Sequence, residues 1–193
     1  MKNKTAKILL SIGVAVIAIV IGLLALSPYK RNGNTGSRSL QTTIAIDVPA
    51  DSVFQYLGNS ANASAWSSFV DHIIPLNPEI IPDGKKGSFR RCFARADRKG
   101  MAWDEEIIYV EPNKKRILTI FNLQNFAIGA EGLVTEQRYE PMGNNRVQLT
   151  FALSFGDEPP GFIRYVKMKL AAYRIAAIFE KNLANIKRIC EEK

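Results

Sequence analysis

Residues 146–193, RVQLTFALSFGDEPPGFIRYVKMKLAAYRIAAIFEKNLANIKRICEEK, place a strand pattern directly before a helix pattern. Apolar residues alternate strictly from Val147 to Phe155, which is typical of a strand with one buried face. After Gly161 no Gly or Pro follows, and apolar residues recur at helical spacing. The recurring positions are Val166, Leu170, Tyr173 and Ala177, and then Phe179, Leu183, Ile186 and Cys190. The stretch therefore predicts a half-buried strand followed by one amphipathic helix of about 30 residues.

Upstream of this strand, short apolar segments separated by turn residues predict an antiparallel sheet. Two short helices are predicted around residues 51–57 and 61–69, after the first strand. The C-terminal helix is the only predicted element long enough to cover the apolar face of such a sheet. We therefore expect an α+β fold, in which a curved antiparallel sheet of about six or seven strands wraps on the long C-terminal helix. The predicted strands cover residues 42–48, 88–96, 101–110, 116–122, 129–140 and 147–155.

The N-terminal region has a different composition. Residues 8–27, ILLSIGVAVIAIVIGLLALS, contain no charged side chain. A helix of that length spans about 30 Å, the thickness of the hydrocarbon core of a bilayer. The alternative is a cleaved signal peptide, whose apolar stretch is usually shorter, about 7–15 residues. We expect one transmembrane anchor at 8–27, with a short basic tail at 1–7 and a flexible tether at 28–41.

The net charge of +8 belongs mostly to this N-terminal region. Residues 1–41 contain six basic and no acidic side chains, whereas residues 42–193 contain 20 basic and 18 acidic ones. The folded part is therefore close to neutral, and it carries no nucleic-acid motif, so we expect no nucleic-acid partner. The lysines before the apolar run favour a cytoplasmic N-terminus, with the C-terminal domain on the non-cytoplasmic side of the membrane.

The cysteines and the single histidine are too few for a metal centre. A Cys/His zinc site needs about four ligands, whereas the chain has Cys92, Cys190 and His72 alone. We expect no metal and no cofactor. Two reduced cysteines in the core are the favoured interpretation, and a Cys92–Cys190 disulfide is the alternative.

Several segments, taken in order, resemble one family. TTIAIDVPADSVFQYLGN at residues 42–59, followed by Trp66, resembles the start of the START/polyketide-cyclase-like (SRPBCC) superfamily, where a strand runs into a Pro-Ala-x-x-Val-Phe helix. The segments Gly87–Arg90, Glu106–Pro112 and Leu183–Lys187 continue the resemblance. It implies a helix-grip fold whose cavity binds lipids, sterols, polyketides, quinones or other apolar small molecules. An N-terminal membrane span departs from the usual member of this superfamily.

The resemblance covers almost all of residues 42–193, which we expect to form the START/polyketide-cyclase-like domain. Side chains in the helix-grip cavity are the candidate ligand contacts, and we assign no catalytic residue. The candidates are Trp66, Phe89, Arg91, Phe93, Glu106, Tyr139, Phe151, Phe155 and Tyr173.

The orientation of the strand at 88–96 leaves two alternatives. Phe89, Arg91 and Phe93 share one face. If that face points inward, Arg91 reaches a carboxylate or phosphate of a ligand. The other register buries Cys92 and Ala94 instead.

Charged side chains give three further hypotheses. Within the acidic run 104–106, one carboxylate facing the cavity would act as an acid/base or as a ligand anchor; the alternative is a solvated strand face paired with arginines of the preceding strand. His72 is expected in an exposed loop, and the alternative is a general base at the mouth of the cavity. The last helix carries basic side chains that would either meet anionic lipid head groups or form an ordinary solvated face. These are Arg164, Lys167, Lys169 and Arg174.

The function that these features favour is a membrane-anchored binding protein for an apolar or amphipathic small molecule, such as a lipid, a quinone or a polyketide-like compound. An enzyme of the polyketide cyclase/dehydratase kind, using acid and base groups in the cavity, is the first alternative. The second alternative is a membrane-tethered interaction module whose cavity is vestigial.

Overall fold

A computed structural model describes residues 2–31, 37–126, 132–156 and 161–192, with residues 2–9 described by their backbone. Four α-helices and eight strands follow one another in these segments, with one 3₁₀ turn at Ser60–Asn62. They are α1 (Lys2–Ala25), β1 (Lys30–Arg31), β2 (Arg38–Ile46), α2 (Ala50–Gly58), α3 (Ala63–Trp66), β3 (His72–Pro75), β4 (Phe89–Phe93), β5 (Ala102–Glu111), β6 (Lys115–Gln124), β7 (Leu133–Gly143), β8 (Arg146–Phe155) and α4 (Phe162–Glu191).

The eight strands form one antiparallel sheet in the order β1-β2-β8-β7-β6-β5-β4-β3. β2 pairs with β8 from Leu40–Leu153 to Ile46–Val147, so the first long strand lies beside the last one. The predicted α+β class with one antiparallel sheet and a long C-terminal helix is confirmed, whereas the predicted strand number was too low. One additional strand is β3, which contains Pro75 and forms the edge of the sheet, where a proline costs no ladder hydrogen bond.

The core lies between the sheet and α4, in two clusters of buried side chains. Val147, Leu149 and Phe151 of β8 pack in one cluster with Leu183 and Ile186 of α4. The other cluster contains Leu153 and Phe155 at the end of β8, and Met168 and Ala172 in the first half of α4. The alternation predicted for β8 and the apolar spacing of the second half of α4 are both present in this packing.

The first half of α4 buries a different face from the predicted one. Leu170 and Tyr173 are 43% and 39% exposed, whereas Met168 and Ala172 are buried against the sheet. The predicted face points toward the end of α1 instead. There the Tyr173 hydroxyl donates to the Leu23 carbonyl at 2.8 Å, so Tyr173 is held by α1 rather than by the sheet.

The prediction of a flexible tether at 28–41 is wrong for residues 28–31 and 37–41. The remaining residues of that segment, 32–36, lie outside the described residues. Tyr29 and Leu40 are 2% and 1% exposed and belong to a core cluster. The ring of Tyr29 meets the ring of Phe155 edge-on, with centroids 6.3 Å apart. The sequence did not predict this packing because most residues around Tyr29 and Leu40 are polar. The domain therefore begins before residue 42.

Residues 2–7, predicted as a separate basic tail, belong to α1. Many side chains of α1 from Leu10 onward are exposed, including Leu10, Ile17 and Ile21 at 70%, 61% and 61%. In the described part of the chain, no helix is both long and apolar enough to cross a membrane. The predicted transmembrane helix at 8–27 is therefore not confirmed.

Candidate ligand cavity

A cavity of about 330 Å³ lies between the sheet and α4. That volume is at the lower end of the range usual for small-molecule sites, about 300–1,000 Å³. Aromatic and aliphatic side chains make most of the wall. The aromatic ones are Trp66, Phe69, Trp103, Phe126, Phe151, Phe155 and Phe179, and the aliphatic ones include Leu118, Ile120, Leu133, Leu153, Met168, Ile175 and Ile178.

Strand alternation decides which side chains reach this cavity. We call the face of the sheet that α4 packs against the covered face, and the opposite one the outer face. β4 and β5 pair Arg90 with Glu105 and Cys92 with Trp103, whereas β7 and β8 pair Gln137 with Phe151. Partners in a pair share a face. All of these side chains lie on the covered face.

Three of the predicted ligand contacts lie in the cavity wall: Trp66, Phe151 and Phe155. Trp66 comes from α3, and its ring meets that of Phe151 edge-on with centroids 6.1 Å apart. Phe179 of α4 also contacts Phe151, with centroids 5.7 Å apart and the planes nearly perpendicular. Edge-to-face contacts of this kind fix ring orientations, so the wall is built of mutually positioned aromatic rings.

Four predicted contacts, Phe89, Arg91, Phe93 and Glu106, lie outside the cavity wall, on the outer face. The register that buries Cys92 is the one present, so Arg91 points away from the cavity. There it binds Asp104 through two hydrogen bonds of 2.6 and 2.8 Å. The interpretation of Arg91 as a ligand-binding group is therefore wrong.

His72 belongs to the same outer surface. It begins β3 rather than lying in a loop, and its ring stacks on that of Phe93 at 4.8 Å. Its Nδ1 lies 2.8 Å from a carboxylate oxygen of Asp71. Within the described residues, no group of three or more His, Cys, Asp and Glu side chains is placed to hold a metal ion.

Tyr139 and Tyr173, also predicted as contacts, do not line the cavity. Tyr139 is 1% exposed, and its hydroxyl donates to Gln137 at 2.8 Å behind the cavity wall. Burial raises the pKa of the Tyr139 phenol, which therefore stays protonated. Tyr173 faces α1, as described above.

A buried ion pair that is not among the predicted ligand contacts also lies in the wall, and one of its members, Glu105, belongs to the acidic run in which one carboxylate was expected to face the cavity. Arg90 and Glu105 form a buried ion pair, with the Arg90 Nη2 2.7 Å from Oε2 of Glu105. The other oxygen of Glu105 accepts a hydrogen bond from the indole of Trp103 at 2.9 Å. The arginines of β4 were expected to pair with this acidic run on a solvated face, as the alternative to a carboxylate facing the cavity, because the sequence left the orientation of the strand open. Alternation along each strand would already have placed Arg90 and Cys92 on one face of β4, and Glu105 and Trp103 on one face of β5.

Both cysteines are buried and unbridged. Burial, reinforced by the neighbouring Glu105 carboxylate, raises the pKa of the Cys92 thiol well above its usual range. A protonated, buried thiol is a poor nucleophile, so Cys92 behaves as a core residue.

The basic side chains of α4 divide between three environments. Arg164 and Arg174 line the cavity, and Arg174 is exposed, so the cavity reaches solvent on that side. Lys167 is exposed. Lys169 donates to the carbonyl of Leu24 at 2.6 Å, at the end of α1. The predicted basic face is therefore not one continuous surface, because only Lys167 is simply exposed to solvent.

The sequence matches a known family from β2 to the end of α4. Residues 37–191 match the family described as "Polyketide cyclase / dehydrase and lipid transport". The chain belongs to this family. The predicted superfamily is confirmed, and the match starts five residues before the predicted domain boundary at 42. A comparison with curated proteins finds no relative.

Solved structures with the same fold include members of biosynthetic pathways. The Zhui aromatase/cyclase from Streptomyces sp. R1128 has a TM-score of 0.55 at 16% identity, over 80% of this chain and 92% of that one. The di-domain aromatase/cyclase StfQ of the steffimycin pathway has 0.57 at 13%, over 80% of this chain and 50% of that one. The Aha1 dimer from Colwellia psychrerythraea has 0.55 at 16%, over 79% and 96%. At such identities the likeness shows the fold alone.

Proposed function

We propose that this domain binds an apolar or amphipathic small molecule in the cavity between the sheet and α4, without transforming it. The observation that carries this proposal is the wall itself. About 330 Å³ of space is enclosed mainly by apolar side chains, and the ion pair in the wall is satisfied internally. A cavity of this kind gains free energy by removing an apolar ligand from water.

A cyclase or dehydratase would need an inward acid or base that is free to exchange a proton with the substrate. Glu105 has one oxygen bound by Arg90 and the other by Trp103. Asp104 lies on the outer face, where hydrogen bonding to Arg91 and Asn122 lowers its pKa. These pairings favour binding over acid–base catalysis.

The interaction-module alternative expects the gap between sheet and helix to be filled by side chains. The cavity in this structure is open, which favours a small-molecule ligand over a vestigial pocket.

Membrane association through α1 is a second part of the proposal. Its support is the uncharged run at 8–27 and the exposure of apolar side chains such as Val16 and Ile17, at 53% and 61%. The basic residues before the run favour a domain on the non-cytoplasmic side. Replacing Val16 and Ile17 together with Lys is expected to move the full-length chain from the membrane to the supernatant fraction. Retention of this double variant in the membrane would contradict the proposal.

The binding proposal is tested by extracting the full-length purified chain with organic solvent and identifying bound molecules by mass spectrometry. Ala171 lines the cavity, so Ala171→Phe fills part of it and is expected to reduce the bound amount several-fold. Ala177 is exposed on the same helix, so Ala177→Phe is the matched control and should keep the wild-type amount. Equal amounts in the two variants would contradict binding in this cavity.

A further inference from the structure

Two carboxamide side chains, Gln137 of β7 and Asn182 of α4, lie in the cavity wall, on opposite sides of the space. They are 8% and 5% exposed. An amide has one accepting oxygen and one donating nitrogen, and which end faces the cavity decides what it recognises. The surrounding donors determine that orientation for both residues.

The side-chain oxygen of Gln137 is hydrogen-bonded on the side away from the cavity. Oε1 accepts from Nη1 of Arg116 at 3.0 Å and from the Tyr139 hydroxyl at 2.8 Å. A guanidinium can only donate, so the amide must turn its oxygen toward Arg116. Arg116 is itself 1% exposed, donates to the carbonyl of Phe54, and forms no ion pair within the described residues.

The side-chain oxygen of Asn182 is likewise held by two hydrogen-bond donors. Oδ1 accepts from the backbone N–H of Ser68 at 2.7 Å and from its hydroxyl at 2.9 Å. Because a backbone N–H can only donate, this amide cannot turn over either.

The nitrogens of both amides are left for the ligand. Neither Nε2 of Gln137 nor Nδ2 of Asn182 has a hydrogen-bond partner among the residues that the structure describes, and neither is sealed from the cavity or solvent. The Glu105 carboxylate is already engaged, because Arg90 binds one of its oxygens and Trp103 the other. Arg90 is likewise not free to bind an anionic group of a ligand, because it is ion-paired with Glu105.

We infer that Gln137 and Asn182 are specificity-determining residues that donate hydrogen bonds to acceptor oxygens of a largely apolar ligand. The ligand class is a carbonyl compound such as a ketone, a quinone or an ester, rather than a plain hydrocarbon. This inference rests on the proposed function, because it concerns the ligand of the same cavity.

The test compares two probes with the same tricyclic skeleton, 9-fluorenone and fluorene, which differ by one carbonyl group. Each is titrated into the full-length chain, and tryptophan fluorescence reports binding. We expect the wild-type chain to bind fluorenone about tenfold more tightly, the effect of one to two net hydrogen bonds. Equal binding of the two probes would overturn the inference and leave the binding function standing. Failure of both probes to bind would overturn the two together.

Isosteric variants show which side chains cause the preference for fluorenone over fluorene. Gln137→Glu keeps an oxygen for Arg116 and Tyr139 while replacing the donating nitrogen with an acceptor, and Asn182→Asp does the same beside Ser68. We expect each variant to lose most of the preference for fluorenone while retaining fluorene binding. Gln41→Glu, on the exposed outer face, is the matched control and should keep the full preference. If both wall variants keep it too, the inference is wrong.

Discussion

Two arginine–carboxylate pairs occupy neighbouring positions in the same two strands and have opposite surroundings. Arg90 and Glu105 lie in the cavity wall on the covered face, and their side chains are 9% and 11% exposed. Arg91 and Asp104 lie one residue away on the outer face, where the Arg91 side chain is 34% exposed. The chemistry is the same in both pairs. The position relative to α4 alone makes one pair part of the candidate site and the other an outer stabilising contact.

The largest difference between the pairs should appear when each loses its arginine. Arg90→Met leaves Glu105 buried without its cation, and we expect a loss of about 3–5 kcal/mol in the free energy of unfolding. Arg91→Met removes an arginine whose side chain is 34% exposed, so water can replace it beside Asp104, which also keeps its hydrogen bond from Asn122; we expect a smaller loss, about 1–2 kcal/mol. Urea unfolding of both variants makes the comparison, and equal losses would contradict it.

Adding Glu105→Gln to Arg90→Met should recover much of the stability, because no unpaired charge then remains and Trp103 keeps an acceptor. A double variant no more stable than Arg90→Met would mean that the loss comes from packing rather than from charge.

The outer pair should give a pH-dependent contribution of intermediate size. Hydrogen bonding to Arg91 lowers the folded-state pKa of Asp104 below its unfolded value. The stabilisation is therefore fully present above about pH 4 and is lost as the pH falls through the folded-state pKa. We expect Asp104→Asn to cost about 1–3 kcal/mol at pH 7. In urea unfolding, the difference from wild type should shrink below pH 4, and a constant difference would contradict the assignment.

The sequence predicted the strand–helix frame and two of the cavity residues because strong alternation in β8 sets the inward positions without help from neighbouring strands. Phe151 and Phe155 follow directly from that pattern. β4 carries apolar and charged residues on both faces, so only its pairing with β5 decides that Arg90 points inward. Gln137 was missed for a related reason. Its role depends on Arg116, a buried arginine that no local pattern distinguishes from a surface one.

Tyr173 shows a second limit. Its place in the apolar spacing of α4 predicted an inward side chain, but helical periodicity does not tell which neighbour covers which face. In the structure the end of α1 covers it, through the hydrogen bond to Leu23.

The smallest predicted effect concerns this tyrosine. Tyr173→Phe removes one partly exposed hydrogen bond, and we expect a loss of at most about 1 kcal/mol in unfolding free energy. Because Tyr173 lies outside the cavity wall, fluorenone affinity should stay within twofold of wild type. A large loss of affinity would restore Tyr173 as a ligand contact.

Tryptophan fluorescence gives the most direct test of ligand binding in the cavity, because both tryptophans of the chain, Trp66 and Trp103, line it. A brominated alkane, 1,10-dibromodecane, quenches a tryptophan that it touches. Titrated into the full-length chain, it should quench the fluorescence saturably, with weaker quenching in Ala171→Phe and unchanged quenching in Ala177→Phe. Quenching that never saturates, and that is identical in all three proteins, would contradict the account.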